Sequence, residues 1–173
     1  MTITREQTYF FDVYQKSSLK SEARSKRGKA IRRRVTEKSR TPTKWKSFFR
    51  DSTNKTELFH FLAEAVAKMT TNNAVIVTKD KNALASASYT HMSIEELAPC
   101  THEEADTRMF LHAWHAAKEG HNSLMIDAND TDIIVIAISQ MPSLTALGLE
   151  KMWVGFGKGG MLDGFLSMTS FQL

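Results

Sequence analysis

The apolar positions of the chain change period along its length. Between residues 54 and 69, Leu58, Phe61, Leu62, Ala65, Val66 and Met69 recur at the spacing of one helix face, and Asn54 with Glu57 forms a helix-start signal ahead of them. A second helical pattern begins at Thr101 and buries Ala105, Met109, His112, Ala113 and Ala116, with Gly120 as its stop. A continuous apolar run of strand length occurs at 74–78, the segments 124–126 and 151–156 also read as strands, and an aromatic, β-branched stretch at 8–14 predicts a further one. Residues 133–138 are apolar throughout, so periodicity leaves 133–139 as either a strand or a short buried helix. Residues 79–88 read as a polar loop, 93–97 as one helical turn, and 157–160 as a flexible glycine-rich segment.

Strands alternating with helices predict an α/β fold with a mostly parallel sheet and flanking helices. In front of it, Leu19, Ala23, Arg27, Ile31 and Val35 make a weak apolar stripe on a helix otherwise crowded with basic residues. Thr41-Pro42-Thr43 breaks the chain before a second helical piece with Trp45, Phe48 and Phe49. The expected organisation is a basic arm over residues 1–55 and an α/β core over 56–173.

Charge sharpens that division. The formal net charge of +4 is the sum of +11 over residues 1–55 and −7 over residues 56–173. A basic arm suits a polyanion such as DNA or RNA, and Lys20, Arg24, Arg27, Arg32, Arg33 and Arg34 can present several cations along one helix. The alternatives are a solvated face or a nuclear localisation segment around residues 26–34. The single cysteine, Cys100, excludes an internal disulfide, and the longest apolar run, 133–138, is too short to span a bilayer. The expected setting is therefore intracellular, nuclear or cytoplasmic, with no membrane partner.

Two acidic clusters flank the second helix and the strand after it: Glu103, Glu104 and Asp106, then Asp127, Asp130 and Asp132. Thr101 and Glu104 form a capping box, which gives Glu104 a purely structural role as an alternative. His112 and His115 with Cys100 are a weaker zinc set, and His102-Glu103 lacks the second histidine of a zinc protease.

Glu104-Ala105-Asp106, a helix, an apolar strand and then Asp130-Thr131-Asp132 resembles the signature of the flap-endonuclease branch of the PIN-like nucleases. The same wording is similar to mobile-element-associated animal proteins with this nuclease-like core. Upstream, Phe11-Asp12 followed by basic residues resembles the family's strand end and basic gateway helix. The resemblance spans roughly residues 9–139. It implies a PIN-like core, a site of Asp12, Glu104, Asp106, Asp130 and Asp132, and Mg²⁺ or Mn²⁺ held by the last four. It further implies that Lys20 and Arg27 grip the reacting phosphate. The family's earlier aspartate-bearing strand has no counterpart, and Asp163 is the one candidate for its later acidic position, so the implied nuclease site is incomplete. A non-catalytic nucleic-acid-binding module on the same fold is the second expectation.

Overall fold

The computed structural model describes residues 6–11, 31–90, 94–101, 105–128, 130–156 and 164–169. These divide into two compact units, Met1–Ala105 and Asp106–Leu173. Within the first unit, residues 31–35 of the basic arm are tied to the helix that follows them.

In the first unit, β1 (Glu6–Tyr9) pairs in parallel with β2 (Ala74–Lys79), which pairs antiparallel with β3 (Asn82–Ala85). Every residue of β2 from Ala74 to Thr78 is buried, which explains a run with no polar alternation. β3 lies in the segment expected to be a loop. Its sequence, NALA, has little strand propensity of its own; pairing with β2 imposes the conformation. Asp80 makes the connecting turn at a φ of 49°, a left-handed conformation that aspartate tolerates better than most residues. Beyond the strands, Ser86 exchanges bonds with the Val75 backbone, its N–H donating at 2.8 Å and its Oγ accepting at 3.1 Å.

A four-residue helical turn, α1 (Trp45–Phe48), leads into α2 (Ser52–Ala67). The cap of α2 is Asp51, whose Oδ1 accepts from the N–H groups of Thr53 at 2.8 Å and Asn54 at 3.2 Å. Asn54, expected to be the cap, sits one turn inside and is fully buried. Its Nδ2 donates to the carbonyls of Ile31 at 3.1 Å and Phe48 at 3.2 Å, and its Oδ1 accepts from the Arg33 N–H at 2.8 Å and Arg32 Nη1 at 3.1 Å. Glu57, expected to complete the capping box, instead accepts from the Val35 N–H at 2.9 Å and pairs with the Arg32 guanidinium. Residues 31–36 consequently have no regular secondary structure. This corrects the expected helix over 19–35 in its described part; residues 12–30 lie outside the described set. The face of α2 also differs in detail: Ala63 is its most buried apolar residue, while Leu62 is exposed. Phe59 turns inward to stack on Phe11 at 4.8 Å.

In the second unit, α3 (Ala105–Lys118) precedes β4 (Ser123–Ala128), and α4 (Asp132–Ala146) connects β4 to its parallel partner β5 (Lys151–Phe156). β6 (Gly164–Thr169), which the sequence pattern did not predict, pairs antiparallel with β5. The ambiguous run 133–139 is thus the start of a 15-residue helix. Its Ile133, Ala137 and Leu144 join Phe110, Ala113 and Ala117 of α3 and Ile126, Met152 and Val154 of the sheet in one core. α3 and α4 end alike. Gly120 and Gly148 adopt φ of 89° and 100°, and each lets the next residue's N–H return to a carbonyl one turn back, His121 to Ala116 at 3.0 Å and Leu149 to Leu144 at 3.1 Å.

The fold is therefore mixed α/β. In place of a mostly parallel sheet, the described residues form two three-stranded sheets, each with one parallel and one antiparallel pairing. Both units run strand, helix, parallel strand, antiparallel strand.

Asn54 gives the first test. Asn54→Ala leaves two carbonyls and a backbone N–H of a buried site without their partner, so it should cost about 2–4 kcal/mol in denaturant unfolding, against a change within about 0.5 kcal/mol for Thr53→Ala on the exposed side of α2.

Candidate functional site

The second acidic cluster takes its position from β4 and α4. Asp127 is the next-to-last residue of β4, opposite Gly155, and Asp130 and Asp132 follow at the entry to α4. All three are exposed. Asp130 Oδ1 accepts the Asp132 N–H at 3.1 Å, a local bond that helps to start the helix, because Thr131 makes no side-chain cap. Asp132 lies in the first turn, where a carboxylate is favoured by the helix dipole. These are sufficient structural reasons for two of the carboxylates, and both leave oxygen atoms directed at solvent.

Asp106 is in the first turn of α3 and half-buried. Asp12, Glu104 and Asp163 lie outside the described residues, as do Lys20, Arg24 and Arg27. Among the described residues no three His, Cys, Asp or Glu side chains form a group able to hold a metal ion. The His112, His115 and Cys100 combination is included in that statement.

The described cations have divided roles. Arg32 is committed to Glu57: the hydrogen bond between them raises the Arg32 pKa and, with the Val35 N–H, lowers that of the carboxyl. A phosphate would have to compete with that carboxylate. Arg33 is anchored through its backbone, and its side chain, with that of Arg34, lines a cavity of about 500 Å³. Arg40 and Trp45 line it too. Neither was singled out from the sequence as a binding residue, although Lys44-Trp45-Lys46 carries the signal, an aromatic ring set among cations.

No protein-family model, curated protein or solved structure matches the chain. Among the described residues, no helix is long and apolar enough to cross a membrane.

The buried face of α3 carries unusual polarity. Arg108, His112 and His115 are all buried. His115 Nε2 stands 4.0 Å from the Glu119 carboxylate. At His112, burial first, then the positive charges of Arg108 and His115, lower the pKa from 6.5 to about 3. The folded state thus binds fewer protons at this ring than the unfolded chain between those two values. The stability associated with neutral His112 is fully present above pH 6.5 and is lost as pH falls toward 3. The slope reaches about 1.4 kcal/mol per pH unit. His112→Asn should therefore show a smaller loss of unfolding free energy between pH 7 and pH 5 than the unsubstituted chain. Equal losses would place the acid sensitivity elsewhere.

Proposed function

We propose that the chain carries the central part of a divalent-metal-dependent nuclease-like domain, PIN-like in its core, that acts on phosphodiester bonds of DNA or RNA in a nuclear or cytoplasmic setting. The observation that supports this most is the position of Asp130 and Asp132, at the carboxyl end of a strand with a parallel neighbour and at the entry of the crossover helix. Ligands of α/β sheets bind at such strand ends. The donor chemistry fits: exposed carboxylate oxygens suit Mg²⁺ or Mn²⁺. By the resemblance alone, Glu104 and Asp106 would join Asp130 and Asp132 in holding the ion, and Asp12 would join the catalytic set; among the described residues Asp106, Asp130 and Asp132 do not by themselves form a metal-holding group. When bound, such an ion activates water and stabilises the attacking and leaving oxygens of phosphoryl displacement.

The chain's own groups do the rest. Arg33 and Arg34, with Lys20, Arg24 and Arg27 on the basic-arm reading, neutralise phosphates along the strand and set its register, while Arg32, paired with Glu57, joins them only where a phosphate displaces that carboxylate. The exposed carboxylates repel phosphate when no cation is present, which makes productive binding at the acidic end depend on the metal. A non-catalytic nucleic-acid-binding module is the second reading. It is favoured by residues 31–50, which hold eight Lys or Arg against one Glu and line a cavity of their own.

Mn²⁺ separates the two readings. At about a hundred times its dissociation constant, an ion bound only to the folded chain adds about 2.7 kcal/mol of stability. That gain, together with Mn²⁺-dependent cleavage of a labelled oligonucleotide, should disappear in Asp130→Ala/Asp132→Ala. An unchanged metal response in the double variant removes these carboxylates from the site, and binding without any cleavage leaves the second reading.

A further inference from the structure

The cavity beside α1 joins features that a simple basic tail does not provide. Phe48, Leu58 and Phe61 give it an apolar floor, and Arg33, Arg34 and Arg40 line it with positive charge. Glu37 is the one acidic residue among the described lining. Among the described residues, none of the three guanidinium groups forms an ion pair. Trp45, 41% exposed, stands at the same cavity and is supported from below: it stacks on Phe49 at 5.2 Å with 27° between the rings, and Phe48 meets it edge-on at 5.7 Å. Holding an indole in the open against water needs such support, and the result is a flat π-surface next to cations.

We infer that this cavity is a binding site for single-stranded nucleic acid, in which an unpaired base stacks on Trp45 while Arg33, Arg34 and Arg40 contact the flanking phosphates. Base stacking on an aromatic platform beside a cationic groove is the general chemistry of sequence-tolerant single-strand binding. A volume of about 500 Å³ takes one nucleotide and its neighbours' phosphates, whereas the bases of a duplex are stacked on each other and cannot enter. A phosphorylated peptide would satisfy the arginines and leave the indole without a partner. The pinning of residues 31–35 by Asn54 and Glu57 keeps Arg33 and Arg34 at the cavity without ordering by ligand. The site deepens the nucleic-acid reading above but needs no metal and none of the acidic residues, so it can be tested apart from them.

The test uses the whole chain in EDTA, with a short oligothymidylate, the same sequence as a duplex, and a phosphoserine peptide as probes. Single strand should bind most tightly. Trp45→Leu should weaken it at least about fivefold with its salt dependence unchanged, and Trp45→Phe should retain most of the affinity. Arg34→Gln/Arg40→Gln should lower the slope of log K against log salt by about 1.4 while leaving the stacking contribution in place. Preference for duplex or for the phosphopeptide, or a folded Trp45→Leu chain that binds single strand normally, overturns the site. If Trp45→Leu melts early, the emission of Trp45 in a Trp114→Phe/Trp153→Phe chain decides: quenching at saturation supports stacking, and unchanged emission refutes it. Loss of Mn²⁺-dependent cleavage with intact binding in EDTA would refute the nuclease reading alone.

Discussion

A parallel pair of strands cannot be joined by a tight turn and is rarely stable with a face in water, so it requires a long crossover that also covers it. This constraint is met twice here. In the second unit α4 is both the crossover between β4 and β5 and the cover that supplies Ile133, Ala137 and Leu144 to the core. In the first, α2 lies between β1 and β2 in sequence and packs on β2. In both, the central strand is then closed on its other edge by an antiparallel neighbour, which pairs the backbone groups that burial would otherwise leave unsatisfied.

The first unit has to solve a further problem, because its crossover carries a dense run of positive charge. Self-repulsion favours spreading such a run into solvent. Two side chains of α2 oppose that tendency. The Asn54 amide, with one donor face and one acceptor face, bonds residues 31–33 much as a neighbouring strand would, and Glu57 meets Arg32 and the Val35 N–H from the next turn. Neutralising Arg32 internally leaves Arg33 and Arg34 available at the cavity. The stabilising device and the proposed binding surface are thus consecutive residues of one segment, Arg32 serving the first and Arg33 with Arg34 the second.

The acidic end of the second unit is arranged with a comparable economy. Asp130 is useful to the fold as a helix-start acceptor through one oxygen, and Asp132 is placed where the α4 dipole favours negative charge. Neither role consumes the whole carboxylate. A pair of acidic residues that starts a helix at a strand end can acquire cation binding at little cost to stability, and can also lose it without unfolding. This is why the nuclease and the binding readings share one fold and separate only in their response to metal.

Strong local patterns made much of the fold legible. The run Ala74–Thr78 has no polar alternation and could only be a strand covered on both faces; Gly120 could be read as a helix stop because a left-handed residue is needed there; His112 fell on the buried face of α3 by spacing alone. The acidic and basic residues of the candidate sites were visible as charge segregation, as was their order along the chain. What sequence could not decide were choices between near-equal local options. Asp51 and Asn54 are equally good caps, and only the presence of residues 31–33 beside α2 drew Asn54 into the interior. Residues 133–139 suit a strand as well as a helix until Ile133, Ala137 and Leu144 meet the β5 core. β3 and β6 exist because β2 and β5 offered an open edge, a cause that lies in the partner strand and not in their own residues. Arg32 and Arg33 are identical in sequence and adjacent, yet one is held by Glu57 and the other lines a cavity; that difference depends on which way the backbone turns each side chain, and the tertiary structure alone determines it.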